Sequence, residues 1–354
     1  MTGKSRFGLA SAGIAAALGA AAVATGCALS VSRWKGPRTD HFDGKRFYNL
    51  EPRVRASGSF WKWMLNRERG PWRDFTDTPP APPPPQRVRD GRLRATFVNH
   101  ATVLLQMDGV NVLTDPVWSE RVSPFSFLGP RRHRPPGVRF EDLPPIDVVL
   151  VSHNHYDHMD LDTLRRVARR DSPPIFVGLN NAAFLADHGV PGASELDWWG
   201  SVVLPSGLTV TAVPTRHFSS RGPFDDNRAL WCGFVVSGPS GDYFFAGDTG
   251  WGSHFSWIGR RFPRLRLALL PIGAYRPRWF MSPVHIDPEE AVCAHGELGA
   301  ATSLAIHFGT FAQADDGEFE PQEALRAALA ERPEPRPRFL LLDNGESAEI
   351  PPVD

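Results

Sequence analysis

Three imidazoles and one carboxylate stand within six residues of this chain, in Ser152-His-Asn-His-Tyr-Asp-His158. For packing alone, His153, His155, Asp157 and His158 are a costly choice, because each brings polar atoms that need partners once buried. On a tight loop His153 and His155 can point to one side and Asp157 and His158 to the other. One short segment can then supply ligands to two adjacent cations. Neutral imidazole and carboxylate suit zinc, at about 2.0 to 2.2 Å, and the spacing by itself leaves iron and manganese open. Further ligands must come from elsewhere, and candidates stand where apolar runs end. They are His217 after residues 209–213, Asp248 in Phe244-Phe-Ala-Gly-Asp-Thr249, and His307 after residues 304–306. Taken singly, each of these is more often a structural or surface residue than a ligand. Their coincidence with the His-x-His-x-Asp-His segment reverses that. His41, His133, His188, His254 and His295 have no such placement and read as ordinary packing or surface residues.

The elements that must hold these groups are legible from periodicity. Short β-branched runs cover 93–98 and 102–107, Asp108-Gly109 is a hairpin turn, and 110–113 returns as a strand. Residues 147–152 form a continuous apolar run of the kind buried on both faces, and it leads straight into the histidines. A helix over 160–170 puts Leu161, Leu164 and Val167 on one stripe. A strand at 175–177 and a helix candidate at 180–188 follow. The second series predicts strands at 202–204, 208–213, 231–236, 243–245, 267–271, 303–306 and 339–342, with helices at 254–261, 288–297 and 321–331. Two similar halves of interleaved strands and helices imply α/β layers with the helices outside. In such folds polar groups at strand ends converge on one crevice.

Composition narrows the remaining classes. With 354 residues, 42% of them hydrophobic, the chain is long and apolar enough to bury a sizeable core. The 39 basic and 39 acidic residues balance, so no excess positive charge recruits nucleic acid. Cys27, Cys232 and Cys293 form no CxxC pair and no disulfide framework. Lys4 and Arg6 precede an uncharged small-residue stretch with the pattern of a secretory signal, and Ala24-Thr-Gly-Cys27 is similar to a bacterial lipobox. The expectation is a lipoprotein-type signal over 1–26 and lipidation at Cys27, which place the rest in the bacterial cell envelope, held to a membrane surface. A plain export signal and an uncleaved anchor are the alternatives. Residues 27–91 form an arm. Its Phe60-Trp-Lys-Trp-Met-Leu65 is either a membrane-surface helix or a helix that packs its Trp residues on the main domain. Its proline tract, 77–86, reads as a stiff strap. The main domain spans 92–350.

The ligand words together resemble the metallo-β-lactamase superfamily, which implies a four-layered αββα sandwich with a metal pair at the edge of its sheets. Neighbouring words narrow the resemblance: Asn99-His-Ala-Thr-Val103, Leu113-Thr-Asp-Pro116, Gly129-Pro-Arg-Arg132, Pro271-Ile-Gly-Ala-Tyr275, His285-Ile-Asp-Pro-Glu-Glu-Ala291 and Ala305-Ile-His-Phe-Gly-Thr-Phe311. They are similar to the family of N-acylphosphatidylethanolamine-hydrolysing phospholipases D and its bacterial relatives, from about residue 40 to about residue 346. The resemblance implies two zinc ions per chain, one on His153, His155 and His217, the other on Asp157, His158 and His307, with Asp248 bridging. Asp157 and His285 would be catalytic groups, with His285 near the phosphate or the leaving alcohol. Asp115 and His100 would stand behind the ligands and orient them, although Asp115 also reads as a turn residue.

The implied reaction is hydrolysis of a phospholipid by a zinc-bridged hydroxide, giving phosphatidate and an N-acylethanolamine. The alternatives are a lactone or another phosphodiester on the same metals, a redox di-iron protein of the same fold, and a non-catalytic envelope lipoprotein. Trp198-Trp199 and Arg278-Trp-Phe280 are either an acyl channel or core. Asn99 departs from the glycine of the animal enzymes, and the leader has no counterpart there. The sequence leaves a homodimer open.

Overall fold

A computed structural model describes residues 25–51 and 60–353. Most of the predicted leader, including Lys4 and Arg6, lies outside the described residues. Among the described residues no helix is long and apolar enough to cross a membrane.

Two seven-stranded sheets pack face to face. The first is built from β1 (Leu93–Asn99), β2 (Thr102–Met107), β3 (Val110–Thr114), β4 (Val148–Val151), β5 (Ile175–Gly178) and β6 (Ala193–Leu196). The second holds β7 (Ser201–Val203), β8 (Thr209–Val213), β9 (Gly233–Gly238), β10 (Gly241–Phe245), β11 (Leu265–Pro271), β12 (Ser303–Ile306) and β13 (Phe339–Leu340). The last strand, β14 (Ser347–Ile350), returns to the first sheet and pairs antiparallel with β1. Each sheet changes from antiparallel to parallel pairing partway across: β3, β4, β5 and β6 run parallel, as do β10, β11, β12 and β13.

Side-chain alternation explains the layers. Along β4, Val148 and Leu150 enter the core between the sheets, while Val149 and Val151 face the helices α2 (Leu161–Asp171) and α3 (Ala182–Asp187). On the second sheet α4 (His254–Arg261), α6 (Pro288–Leu298) and α7 (Glu320–Ala330) form the other outer layer. The short helix α5 (Arg278–Met281) lies between α4 and α6 in the chain. The result is a four-layered αββα sandwich. The edge strands β6 and β14 carry no strong apolar alternation, which is why periodicity alone does not find them.

The arm is built into this sandwich. Gln106 and Asn111, fully buried on the β2–β3 hairpin, donate side-chain amides to the carbonyls of Pro85 and Gln86 at the end of the proline tract. Those contacts satisfy carbonyls that have no ladder of their own. The arm helix α1 (Phe60–Leu65) divides its aromatics. Trp63 is buried against Met281 and Ala314 and stacks on Phe280 at 5.0 Å, whereas Trp61 is 71% exposed. The packing alternative for this helix holds for Trp63 and not for Trp61.

One glycine links the fold to the strand ends. Gly247 adopts φ +59°, and a Cβ there would stand 2.4 Å from Cβ of Ser152. Gly247→Ala is expected to lose about 1 to 3 kcal/mol from the backbone conformation alone, with more from the contact. Urea unfolding of the variant against the parent measures this, and an unchanged midpoint would contradict it.

Candidate metal centre

Strand ends deliver every member of the cluster. The loop after β4 carries His153, His155, Asp157 and His158. His217 follows β8, Asp248 follows β10, His307 follows β12, Asp115 follows β3, and His100 lies in the β1–β2 turn. All are buried except His155, which is half-buried on the cavity side. Three of them occupy left-handed backbone, His100 at φ 47°, Asp115 at φ 31° and His307 at φ 63°. Such conformations persist only where surrounding contacts impose them. Gly273 shows how close the packing is, since a Cβ there would lie 2.1 Å from the His307 carbonyl.

Two groups of donor atoms result. His153, His155 and His217 bring one ring nitrogen each within 4.8 Å of one another, and so do the donor atoms of His100, Asp157, His158 and His307. Asp248 stands at the junction. Its Oδ2 lies 3.8 Å from His217 Nε2 and 4.0 Å from His153 Nε2 on one side, and 3.1 Å from His307 Nε2 and 3.3 Å from His158 Nε2 on the other. His285 Nδ1 is 3.9 Å from the same oxygen, at the cavity edge.

Hydrogen bonds set which ring nitrogens are bare. Ser152 donates its hydroxyl to Asp115 Oδ2 at 2.6 Å, so its oxygen accepts from His153 Nδ1 at 2.9 Å and leaves His153 Nε2 without a proton. His217 donates Nδ1–H to the Val284 carbonyl at 2.9 Å, and His158 donates Nδ1–H to Asp115 at 2.5 Å. Asp115 is thus an orienting acceptor. His100 Nε2 meets Asp157 Oδ2 at 2.9 Å and turns that carboxylate toward the cluster.

The donor set fits a metal. His158 Nε2, His307 Nε2 and Asp248 Oδ1 are buried with no hydrogen-bond partner. His153 Nε2 and His155 Nδ1 approach to 2.8 Å, and His155 Nδ1 and His217 Nε2 to 3.3 Å. Buried polar atoms without partners, crowded this closely, are costly unless a cation stands between them. Imidazole and carboxylate ligands of this kind suit zinc and also other first-row ions.

The protein alone distributes protons unevenly. Burial holds His153 and His217 well below the ordinary imidazole value and takes His155 to about 4. Burial acts the same way on His158 and His307, but the carboxylates outweigh it. Asp248, Asp157 and Asp115 hold His158 well above its usual value, and Asp248 and Asp157 raise His307 to about 9. Against burial, which would raise them, Asp157 and Asp248 are held well below the carboxylate range by the charge of His158, joined at Asp248 by that of His307 and at Asp157 by the His100 hydrogen bond.

A cavity of about 630 Å³ opens onto the cluster. Phe60, Trp63, Phe218, Phe280, Met281 and Val284 form an apolar wall, and His155, Asp157, Asp248, His285 and His307 lie at its inner end. Trp198 takes no part, being core: its indole donates to the Trp231 carbonyl. Phe60 and Trp63 are site residues that the sequence does not reveal as such, because nothing in a six-residue helix indicates which surface it will cover.

The sequence model of the β-lactamase superfamily domain matches residues 110–308. N-acyl-phosphatidylethanolamine-hydrolyzing phospholipase D 1 of Caenorhabditis elegans is 39% identical over 267 residues, 72% of this chain and 75% of that protein. The mitochondrial N-acyl-phosphatidylethanolamine-hydrolyzing phospholipase D of Saccharomyces cerevisiae is 35% identical over 224 residues, 62% of this chain and 48% of that protein. A metallo hydrolase of the archaeon Ignicoccus hospitalis shares the fold with a TM-score of 0.55 at 22% identity, over 73% of this chain and 99% of its own.

Ligation requires neutral imidazole, so His158 and His307 must give up protons as a cation enters. The raised value of His307 means that its proton is bound below about pH 9 and competes with the metal there. Metal affinity is therefore expected to fall as the pH is lowered from that value, by up to about tenfold per unit for each proton displaced. Zinc titration against a competing chelator across this range tests it, and a pH-independent affinity would refute it.

Proposed function

This chain belongs to the β-lactamase superfamily and, within it, to the N-acyl-phosphatidylethanolamine-hydrolyzing phospholipase D family of metal-dependent hydrolases, and from that premise we propose that it hydrolyses N-acyl phosphatidylethanolamine to phosphatidate and an N-acylethanolamine. The observation that carries the lipid reading is the apolar wall of the cavity, which runs from α1 down to the cluster. A long acyl chain can lie along that wall while the phosphodiester reaches the metal side.

In this reading His153, His155 and His217 would hold one zinc and Asp157, His158 and His307 the other, with Asp248 standing between the two groups. A zinc pair supplies an activated water at neutral pH and draws charge from the phosphoryl oxygens. The residues of the chain do the rest. His100 holds Asp157 by its Oδ2, which fixes the carboxylate that faces both the cluster and the cavity. His285 is lowered to about 4, chiefly by burial, and is neutral at pH 7. It offers one N–H to a phosphoryl or leaving oxygen without adding a positive charge. Water adds across the P–O bond: its oxygen stays on phosphorus, the bond to the N-acylethanolamine oxygen breaks, and a proton ends on that oxygen. The apolar wall excludes other water from the acyl side.

The same proposal places the protein at a membrane surface, exported and lipidated at Cys27, whose side chain is exposed. Mass spectrometry of the peptide containing Cys27 tests that part independently.

Incubating purified zinc-loaded protein with N-acyl phosphatidylethanolamine and a lactone panel, with products read by mass spectrometry, tests the reaction. Phosphatidate and N-acylethanolamine are expected, chelation is expected to abolish turnover, and Asp157→Asn to lower kcat by about 100-fold or more. Lactone opening without lipid cleavage would sink the phospholipase reading. Trp63→Ala, which removes part of the wall, is expected to raise KM more for long-chain than for short-chain substrates. Equal effects on both would remove Trp63 from acyl binding.

A further inference from the structure

His217 is held on three sides, and two of those contacts come from a single side chain far away in sequence. Asn49 Nδ2 donates to the His217 carbonyl at 3.0 Å, and Asn49 Oδ1 accepts from the His217 N–H at 3.2 Å. The same oxygen accepts from Trp231 Nε1 at 3.0 Å, which fixes the orientation of the amide. Trp231 is itself buried and also donates to the Thr215 carbonyl at 3.0 Å, two residues before His217. The third contact is the ring bond from His217 Nδ1 to the Val284 carbonyl.

The arm brings Asn49 here by other contacts. Phe47 N–H donates to the Asn227 carbonyl at 2.8 Å, and Glu51 accepts from Ser253 N–H at 2.8 Å. His41, buried against Trp198, bridges Asp40 at 2.6 Å and Asp197 at 2.7 Å. The arm residues Asp40, His41, Phe47, Asn49 and Glu51 lie outside residues 110–308, where the superfamily model matches, while their partners lie within it.

We propose that Asn49 is a positioning residue that sets the backbone of His217, and through it the direction of the His217 ring, for metal binding. An amide is suited to this task because it donates and accepts at once, so it pairs both backbone groups of one residue and reads its orientation as well as its place. The two peptide units that flank the His217 Cα are each pinned by one of these bonds, so the Cα between them cannot swing without breaking at least one, and ligand orientation by such partners governs metal affinity. The inference rests on the reading that His217 is a metal ligand.

The test uses the full chain loaded with zinc, and follows zinc release to a colorimetric chelator together with the melting temperature. The parent is expected to release two kinetically distinct equivalents, with His217→Ala identifying the one that depends on His217. Asn49→Leu is expected to release that equivalent tenfold or more faster and leave the other unchanged. Asn49→Asp keeps both acceptor contacts but turns the donated one into an oxygen facing the His217 carbonyl, so it too should speed release of that equivalent alone, which covers the case in which Asn49→Leu folds poorly. Asp197→Asn, which weakens another anchor of the same arm, should lower the melting temperature without changing zinc release. Zinc release unchanged in both Asn49 variants, or both equivalents accelerated together in step with a lower melting temperature, would overturn the proposal. A parent protein that binds no zinc would overturn the metal reading itself and this inference with it.

Discussion

One buried carboxylate governs the proton positions of the cluster. Asp115 accepts from the Ser152 N–H, the Ser152 hydroxyl and His158 Nδ1. The last contact keeps one His158 proton on Nδ1, so the proton that leaves when a cation enters is the one on Nε2. The hydroxyl contact passes the constraint on, because a serine whose hydrogen is committed to Asp115 can only accept from His153. Two imidazoles on one loop thus take the same inward-facing tautomer from a single acceptor. A pair of donors with undefined tautomers would lose affinity for any cation, and the carboxylate removes that ambiguity before an ion arrives. The left-handed backbone of Asp115 belongs to the same device, since it turns the side chain back under the following strand end.

Much of this was legible from the sequence, for identifiable reasons. The His-x-His-x-Asp-His loop is contiguous and follows an apolar run, so its exposure to a common crevice follows from the end of β4. His217, Asp248 and His307 are legible in the same way, as polar residues just beyond strands. The helices α4 and α6 form within a residue of the expected bounds, and the structure adds that Asp287 caps α6 with a reciprocal Glu290 contact. The structure brings all of these together with His100 and Asp115.

What periodicity misses has a common cause. Asn49 sits in a stretch with no regular pattern, and its partner lies 168 residues away. Its role depends on how two segments happen to meet, and neither segment records that meeting in its own composition. Trp63 and Trp198 illustrate the same point in opposite directions. Both have a second tryptophan close by in sequence, Trp61 and Trp199, yet Trp63 lines the cavity and Trp198 is core beneath the arm. Side-chain type gives apolar area; only the surrounding layers decide what covers it.

The cavity draws its two halves from different parts of the chain. Its donor atoms come from the strand ends of the sandwich, while α1, which precedes the sandwich, supplies Phe60 and Trp63. The proline tract between them docks on the β2–β3 hairpin through Gln106 and Asn111, away from the ligands. Exchanges within α1 therefore reshape the space offered to a substrate without moving a donor atom. Selectivity and reactivity can diverge separately in descendants of such a chain: a lineage can change what the cavity accepts through a six-residue helix while the buried donor atoms stay as they are.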